Sequence, residues 1–524
     1  MPGMDLGRKQ AAWIVGLSVL TLGLGLGRSG RLTYHEALVA QGAREMLAGG
    51  DALVPRVDGR PWLEKPPLSI WLVALGGRIA GGVDETVARL PSALAATLLS
   101  LGVATLAARR FGSPVGLLAG LVQATTLWTV ARGRLADADM LLAALVVGTL
   151  AAFDRMRAEE DVLPRVRWAF FAGLGLMSLA KGIGFGAVLA GAVIGLTLLW
   201  DRDAKTLRRL AFVPGWALAT LLALAWPALV VARYPEVLSL WTLHVADRLA
   251  AHPEHFASGP WWQYGPALLW QALPWTPLAL VGAVRSGRRA WSERGGGDRL
   301  LWAWAVGPMV LLSLATVKNA HYAIYALPPW SIWTALSLAR IGARFEARGW
   351  ARDRLRRGAL AGFATLGLIC GLGFALLGPR FDRRGVEWSF YETAGRALPM
   401  GEAVVLLYDD WDRNPYPSPF GPMPHDLAVR LFYLNRPASW RQGPEDLEQH
   451  PPAPLPFAVI GRDRDLPALR RLGRVETLVR GPVHRSRMSR VDDRTFRLFR
   501  VGPEHEPVAL QSGSSGITFP EGPR

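Results

Sequence analysis

The chain has 524 residues, of which 51% are hydrophobic, and a mean hydropathy of +0.20. Repeated apolar runs of 18 or more residues exclude an ordinary soluble protein and predict a polytopic α-helical membrane protein. The net charge of +17 does not call for nucleic acid, because the arginines gather in short loops that would face anionic lipid on the cytoplasmic side.

In chain order, Arg8 and Lys9 precede an apolar run from Ala11 to Gly27. The run resembles a signal peptide but lacks an A-x-A-type cleavage site, so it is expected to stay as a first span. Further candidate spans lie at roughly 87–108, 113–131, 138–155, 165–180, 182–200, 209–232, 261–284, 300–317, 321–340 and 358–377. The expected count is about eleven to thirteen transmembrane helices. With the N-terminus inside, the inside loops carry Arg109–Arg110, Arg155–Arg167, Arg202–Arg209, Arg285–Arg299 and Arg340–Arg357, as the positive-inside rule requires. Pro67–Gly82 is also apolar, but a full span there would reverse this pattern, so it is read as an interfacial helix on the outer face. Cys370 is the sole cysteine, which excludes a disulfide framework within one chain.

Two outside loops are long. The first, about 29–86, opens with a helix-like stretch from Glu36 to Leu47. The second, about 233–260, holds His244, Asp247, Arg248, His252 and His255. After Leu377 the chain turns polar and Pro-rich, with β-like runs at Ala403–Tyr408 and Phe457–Gly461 and a helical stretch at Asp426–Leu434. The expected division is a membrane domain over 1–377, a small soluble α/β domain outside the membrane over 378–505, and a disordered tail over 506–524.

Once the spans are laid out, the ionisable residues suited to chemistry fall on the outer side: His35, Glu36, Glu64, Lys65, Asp137, Asp139, Lys181, His255, Lys318 and His321. Only five of the 59 basic residues are lysines, and three of them, Lys65, Lys181 and Lys318, sit at outer membrane edges. Snorkelling to the interface is one reading. The other is a set of compact point charges gripping a lipid phosphate. Asp137 and Asp139 open a helix, where acids are common as caps; Asp137 is the better cap and Asp139 the better site residue. Histidines 252, 255 and 321 with Glu64 could form a zinc site, although solvated loop histidines explain the same spacing. Tyr322 and Tyr325 would line the cavity or the core. No P-loop or dinucleotide fingerprint is present, and the glycines over Gly173–Gly186 fit close helix packing instead.

The segments His35-Glu36, Arg44-Glu45-Met46-Leu47, Val54-Pro55-Arg56 and Glu64-Lys65-Pro66-Pro67-Leu68 come in a distinctive order. Arg89-Leu90-Pro91-Ser92-Ala93, Gly133-Arg134 to Asp139-Met140, Ala180-Lys181-Gly182, Pro260-Trp261-Trp262, Leu273-Pro274-Trp275 and Lys318 to Pro328 follow. Over about residues 30–345 this resembles the aminoarabinose transferase and protein O-mannosyltransferase superfamily of membrane glycosyltransferases of GT-C type. The resemblance implies a polyprenyl-phosphate sugar as donor and a lipid or glycan acceptor on the periplasmic side of a bacterial inner membrane. It implies catalytic roles for His35, Glu36 and Asp139, and substrate contacts at Lys65, Lys181, Lys318, Arg134, His321 and Tyr322. Glu64 and His255 fall where a loop-bracing divalent metal would sit; the cofactor requirement is otherwise unknown. The superfamily has Asp-Glu where this chain has His35-Glu36. An imidazole can still serve as a base near neutral pH, or the role could pass to Glu36. Protein O-mannosyl transfer is one alternative. A non-enzymatic lipid or solute transporter is another, and it predicts ionisable groups near mid-bilayer.

Overall fold

The computed structural model describes residues 6–250, 259–293, 296–382, 385–399, 401–408, 418–421, 423–424, 426–452, 455–481 and 495–503. The chain enters with α1 (Arg8–Ser18), which continues through a π-turn to Gly23. The first outer loop carries α2 (Tyr34–Leu47), a two-residue hairpin β1 (Arg56–Val57) and β2 (Arg60–Pro61), and α3 (Leu68–Ala80). The sequence then builds a helical bundle from α4 (Glu85–Phe111), α5 (Ser113–Thr125), α6 (Leu127–Gly133), α7 (Ala138–Ala158), α8 (Pro164–Lys181) and α9 (Phe185–Asp201). It continues through α10 (Ala204–Leu210), α11 (Val213–Arg233), α12 (Val237–Ala250), α13 (Tyr264–Gln271), α14 (Thr276–Ser292), α15 (Gly297–Leu314), α16 (Leu327–Glu346) and α17 (Arg352–Phe381).

Among the described residues, four helical runs are long and apolar enough to cross a membrane by composition alone: Arg8–Arg28, Glu85–Phe111, Val213–Arg233 and Arg352–Phe381. Two bent pairs, α5 with α6 at 59° and α13 with α14 at 119°, pass the same test when each is taken together, the geometry of a broken span or a re-entrant loop. The first break sits at Thr126, whose backbone is extended. There the free amide of Leu127 donates to the Leu273 carbonyl at 2.8 Å, between the halves of the second pair. The helices α7, α8, α9, α15 and α16 have 17 to 21 residues, about 26–32 Å at 1.5 Å per residue. The protein is a multi-pass membrane protein.

The arginine-rich ends meet one another at a single end of the bundle. Arg110 of α4 pairs with Asp154 of α7 at 2.6 Å, Arg109 pairs with Glu159, and Asp201 joins Arg157 to Arg299 of α15, the latter at 2.9 Å. Contact among these loops supports the alternation read from the sequence. Helix α3, with 13 residues, spans about 20 Å, short of the roughly 30 Å of a hydrocarbon core. Its Leu75 and Ile79 are exposed, as an interfacial helix requires. The second outer loop corrects the sequence expectation, because it contains the helix α12.

Beyond α17 the chain forms α18 (Gly385–Ala397), β3 (Val404–Tyr408), α19 (Leu427–Leu434), β4 (Ala438–Gln442), α20 (Gly443–Gln449), β5 (Phe457–Arg462), α21 (Leu466–Leu472), β6 (Arg474–Arg480) and β7 (Phe496–Gly502). The five strands make one sheet in the order β4-β3-β5-β7-β6. Strand β3 runs parallel to both β4 and β5, while β7 is antiparallel to β5 and β6. All five residues of β3 are buried, the pattern of a strand covered on both faces. The expected tail over 506–524 lies outside the described residues.

This α/β unit is fastened to the first outer loop. The Leu32 amide donates to the Tyr433 hydroxyl at 2.7 Å, Arg44 donates to the Phe432 carbonyl at 2.5 Å, and Arg31 pairs with Glu392 at 2.6 Å. The β1–β2 turn at Asp58-Gly59 has positive φ at both residues, 55° and 69°, the geometry of a tight hairpin. Glu45 accepts from both turn amides, at 2.8 and 3.0 Å, and Arg60 lies 5.3 Å from the Trp440 ring of β4.

Candidate active site

At the bundle end opposite the arginine pairs, charged side chains converge from several separate segments. Asp137 caps α7, its Oδ1 accepting from the Asp139 amide at 2.9 Å. That cap starts the helix so that Asp139 faces inward, where it is only 5% exposed. A carboxylate so buried needs partners on both oxygens. Oδ1 accepts from the Tyr325 hydroxyl at 2.6 Å and pairs with Lys181. Oδ2 accepts from Arg132 at 2.8 Å and lies 3.6 Å from His321 Nε2. Arg132 also pairs with Asp137.

Local structure delivers each group. Lys181 ends α8, and Gly182 (φ +114°) turns the chain away at once, leaving the ammonium at the helix C-terminus. Cation at one helix C-terminus and anion at the next helix N-terminus is the favourable dipole arrangement. Lys181 Nζ lies 4.2 Å from the Tyr322 ring and 5.7 Å from Phe185. His321, Tyr322 and Tyr325 share the 3-10 turn Ala320–Ala326, just ahead of α16. The bend between α5 and α6 swings Arg132 back onto α7.

Lys65 reaches this cluster from the outer loop. Burial, then repulsion from Lys181, holds its ammonium below the ordinary lysine range, while Asp139 and Glu64 act the other way. Two ammonium groups thus crowd one partly dry pocket, with Asp139 already shared. Tyr34, at the start of α2, has its hydroxyl pKa raised by burial and by Glu64, which brings the first turn of α2 close to the Lys65 segment.

The structure therefore brings together Asp139, Lys65, Lys181, His321 and Tyr322 of the expected site residues. It gives others different duties. Glu36 is 1% exposed: one oxygen accepts from the Thr33 amide at 2.9 Å in a capping box. The other accepts from Arg89 at 2.8 Å and from the Ala136 amide at 3.1 Å. Arg134, expected at the substrate, is 1% exposed. It donates to the carbonyls of Thr21, Leu22 and Leu24 and to Ser29 Oγ, which fixes the frayed end of the first membrane helix. Lys318 turns back to the Ala315 carbonyl at 2.7 Å. His35 is exposed on the first turn of α2, its ring 5.1 Å from that of Tyr34.

No group of three or more His, Cys, Asp or Glu that could hold a metal occurs among the described residues. His252 and His255 lie outside them. Arg132 is the site residue the sequence reading missed. Its signal was two arginines and two aspartates within eight positions, 132–139, at the mouth of an apolar span.

Residues 64–230 match the family model described as dolichyl-phosphate-mannose-protein mannosyltransferase. The chain is 30% identical over 344 residues to the undecaprenyl phosphate-alpha-4-amino-4-deoxy-L-arabinose arabinosyl transferase of Edwardsiella ictaluri, covering 64% of this chain and 60% of that one. It is 29% identical over 352 residues to the protein of the same name from Erwinia tasmaniensis, covering 65% and 60%. The chain thus spans about 60% of the length of these curated relatives. ArnT from Cupriavidus metallidurans, solved bound to undecaprenyl phosphate, superposes with a TM-score of 0.72 at 20% identity, covering 95% of this chain and 99% of that one. The archaeal oligosaccharyltransferase AglB from Archaeoglobus fulgidus gives 0.54 at 13% identity, covering 82% and 64%. In the order of its motifs the chain is similar to the aminoarabinose transferases and protein O-mannosyltransferases, and with its helical membrane bundle and small C-terminal sheet it has the GT-C fold.

Proposed function

We propose that this protein is a glycosyltransferase of the bacterial inner membrane. It moves a sugar from a polyprenyl-phosphate donor to a phosphate-bearing glycolipid of the lipid A type, on the periplasmic side. The observation that carries this reading is the convergence of Lys65, Lys181, Arg132 and His321 around the buried Asp139. The donor phosphate is an anion for which Lys65 and Lys181 compete favourably once it enters, because it relieves their mutual repulsion. Transfer breaks the bond between the sugar's anomeric carbon and the phosphate oxygen, and the electron pair leaves with polyprenyl phosphate. The acceptor oxygen forms the new bond from the opposite face, inverting the anomeric centre. Cations fixed where the leaving phosphate gathers charge lower the barrier most.

The candidate bases support an acceptor that is already anionic. Glu36 is fully engaged in capping and in its pair with Arg89, and Asp139 accepts from three donors, Lys181, Arg132 and Tyr325, with His321 alongside. An acceptor phosphate oxygen carries its charge in advance and has no proton to lose, whereas a Ser or Thr hydroxyl does. Asp139 then acts by holding Lys181, Arg132 and His321 in register.

The test is mass spectrometry of lipid-linked sugars and lipid A-type glycolipids from cells with and without this protein. A sugar-sized mass increment on the glycolipid that disappears with the protein is the expected result. The increment on Ser/Thr peptides instead would select protein O-glycosylation; its absence from both would overturn the reading.

A further inference from the structure

A second charged cavity lies away from the Asp139 cluster, where the first outer loop meets the C-terminal α/β unit. It has a volume of about 480 Å³. Its walls carry four arginines, Arg31, Arg44, Arg396 and Arg436, and two acids, Glu85 and Glu392. The acids are shared by two of the arginines: Arg31 with Glu85 at 3.2 Å and Glu392 at 2.6 Å, and Arg396 with Glu392 at 2.5 Å.

Among the described residues, the other two arginines hydrogen-bond to neutral acceptors. Arg44 donates twice to the Val83 carbonyl, at 3.0 and 2.8 Å, and once to the Phe432 carbonyl, and it stacks 3.7 Å over the Phe432 ring. Arg436 donates to the carbonyls of Gly395, Leu398 and Pro399 at 2.5 to 2.7 Å. Carbonyl dipoles fix the direction of a guanidinium but leave its charge in place. The lining therefore holds an excess of two positive charges, and burial disfavours the Arg44 charge, a cost that an entering anion relieves. Asp84, just outside the lining, caps α4 through the Val87 amide, and its charge together with that of Glu85 offsets part of the excess at Arg44.

We infer that this cavity binds the phosphate monoester of a saccharide. Such a group carries about −1.5 to −2 charge at pH 7, opposite in sign to the excess. The volume exceeds what an inorganic phosphate fills and lies within the range of roughly 300–1,000 Å³ usual for small-ligand sites. Asn435, exposed on the rim, offers an amide for sugar hydroxyls. The wall is coupled to the Asp139 site: Arg89 holds the carbonyls of Gly30 and Arg31 and pairs with Glu36, which in turn holds the Ala136 amide beside Asp137. Calling this occupant the transfer acceptor rests on the glycosyltransferase reading; the binding itself does not.

The experiment uses the full chain in nanodiscs of zwitterionic lipid and measures binding without any donor. The probes are a diphosphorylated disaccharide lipid, the same lipid after dephosphorylation, glucosamine 1-phosphate and inorganic phosphate. The phosphorylated lipid is expected to bind at least roughly tenfold tighter than its dephosphorylated form, the scale of one charge-assisted hydrogen bond. Glu392→Gln should tighten binding by freeing two arginines, a gain that misfolding cannot mimic. Arg396→Glu, at an exposed position, should weaken it. Comparing the lipid with glucosamine 1-phosphate tells a lipid-linked source from a soluble one. Equal binding of phosphorylated and dephosphorylated lipid, or a preference that neither variant moves, would overturn the inference. Inorganic phosphate binding as tightly as glucosamine 1-phosphate would overturn its saccharide part. Loss of binding here with sugar transfer intact, or the reverse, separates this site from the proposed activity.

Discussion

At the scale of single residues, the lysines divide by what each touches. Lys65 and Lys181 share the crowded pocket around Asp139, whereas Lys318 is bonded to its own loop. Lys65→Ala and Lys181→Ala are each expected to lower transfer about 10- to 150-fold, the loss of roughly 1.5–3 kcal/mol for one charge-assisted contact. Lys318→Ala should cost much less; comparable losses for all three in a purified transfer assay would return Lys318 to the phosphate. His35→Asn is expected to keep both activity and pH profile, because an anionic acceptor needs no base. A collapse of activity, together with a wild-type activity that rises with pH through ~6.5, would make the imidazole the base after all. The sequence exposed Lys65, Lys181, Asp139 and His321 through their rarity in an apolar context. It hid the duty of Glu36, although Thr33-x-x-Glu36 is the pattern of a capping box, because a residue's fit to a family motif does not reveal whether its carboxylate faces substrate or backbone.

At the scale of elements, α2 depends on one buried ion pair. Glu36 and Arg89 both have side chains 2% exposed, so removing one leaves the other's charge stranded. Glu36→Gln is expected to destabilise the protein by about 3–5 kcal/mol, read as a lowered unfolding temperature in detergent. Glu36→Gln with Arg89→Met should recover part of that loss; a single variant as stable as wild type would remove the pair from this role. For the bundle, a reporter fused after Leu377 is expected to be active outside the cytoplasm and one fused near Arg288 inside. The same side for both would break the alternation of arginine loops. Most spans were legible because apolar length and flanking arginine encode a crossing directly. The breaks in α5–α6 and α13–α14 were not, since each pair was read as one apolar run and the bond from Leu127 to Leu273 that joins them is tertiary. The helix α12 was hidden by the polar residues at its far end, and strands β4, β6 and β7 by their arginines, which interrupt the apolar runs.

At the scale of the whole molecule, the C-terminal unit bears on the outer loop at Asp58. Burial raises this carboxyl to about 6, with Glu45 pushing the same way and Arg60 and Trp440 opposing it. A carboxyl whose folded pKa lies above its unfolded value near ~3.8 favours folding while protonated. That contribution is complete below the unfolded pKa and is lost as pH rises through about 6. Asp58→Asn is therefore expected to stabilise the junction above that pH. The gain is up to roughly 2–3 kcal/mol, taking about 1.4 kcal/mol for each tenfold change in proton affinity. Asn also tolerates the positive φ of this turn. Proteolysis of the junction between pH 5 and 8 is the measurement, and a variant with the wild-type pH dependence would acquit Asp58.

The bonds from Leu32 to Tyr433 and from Arg44 to Phe432 join positions 401 and 388 residues apart. That separation sets an order in time. The outer loop is synthesised well before its partners. Until α19 has folded, the Leu32 amide lacks the Tyr433 hydroxyl and Arg44 lacks the Phe432 carbonyl, although Arg44 already has the Val83 carbonyl and Arg31 already has Glu85. A nascent chain halted after α17 is then an inserted but unfinished protein, its loop open to proteases and chaperones. Activity should begin with the arrival of the α/β unit, not in step with insertion of the helices that carry Asp139 and Lys181.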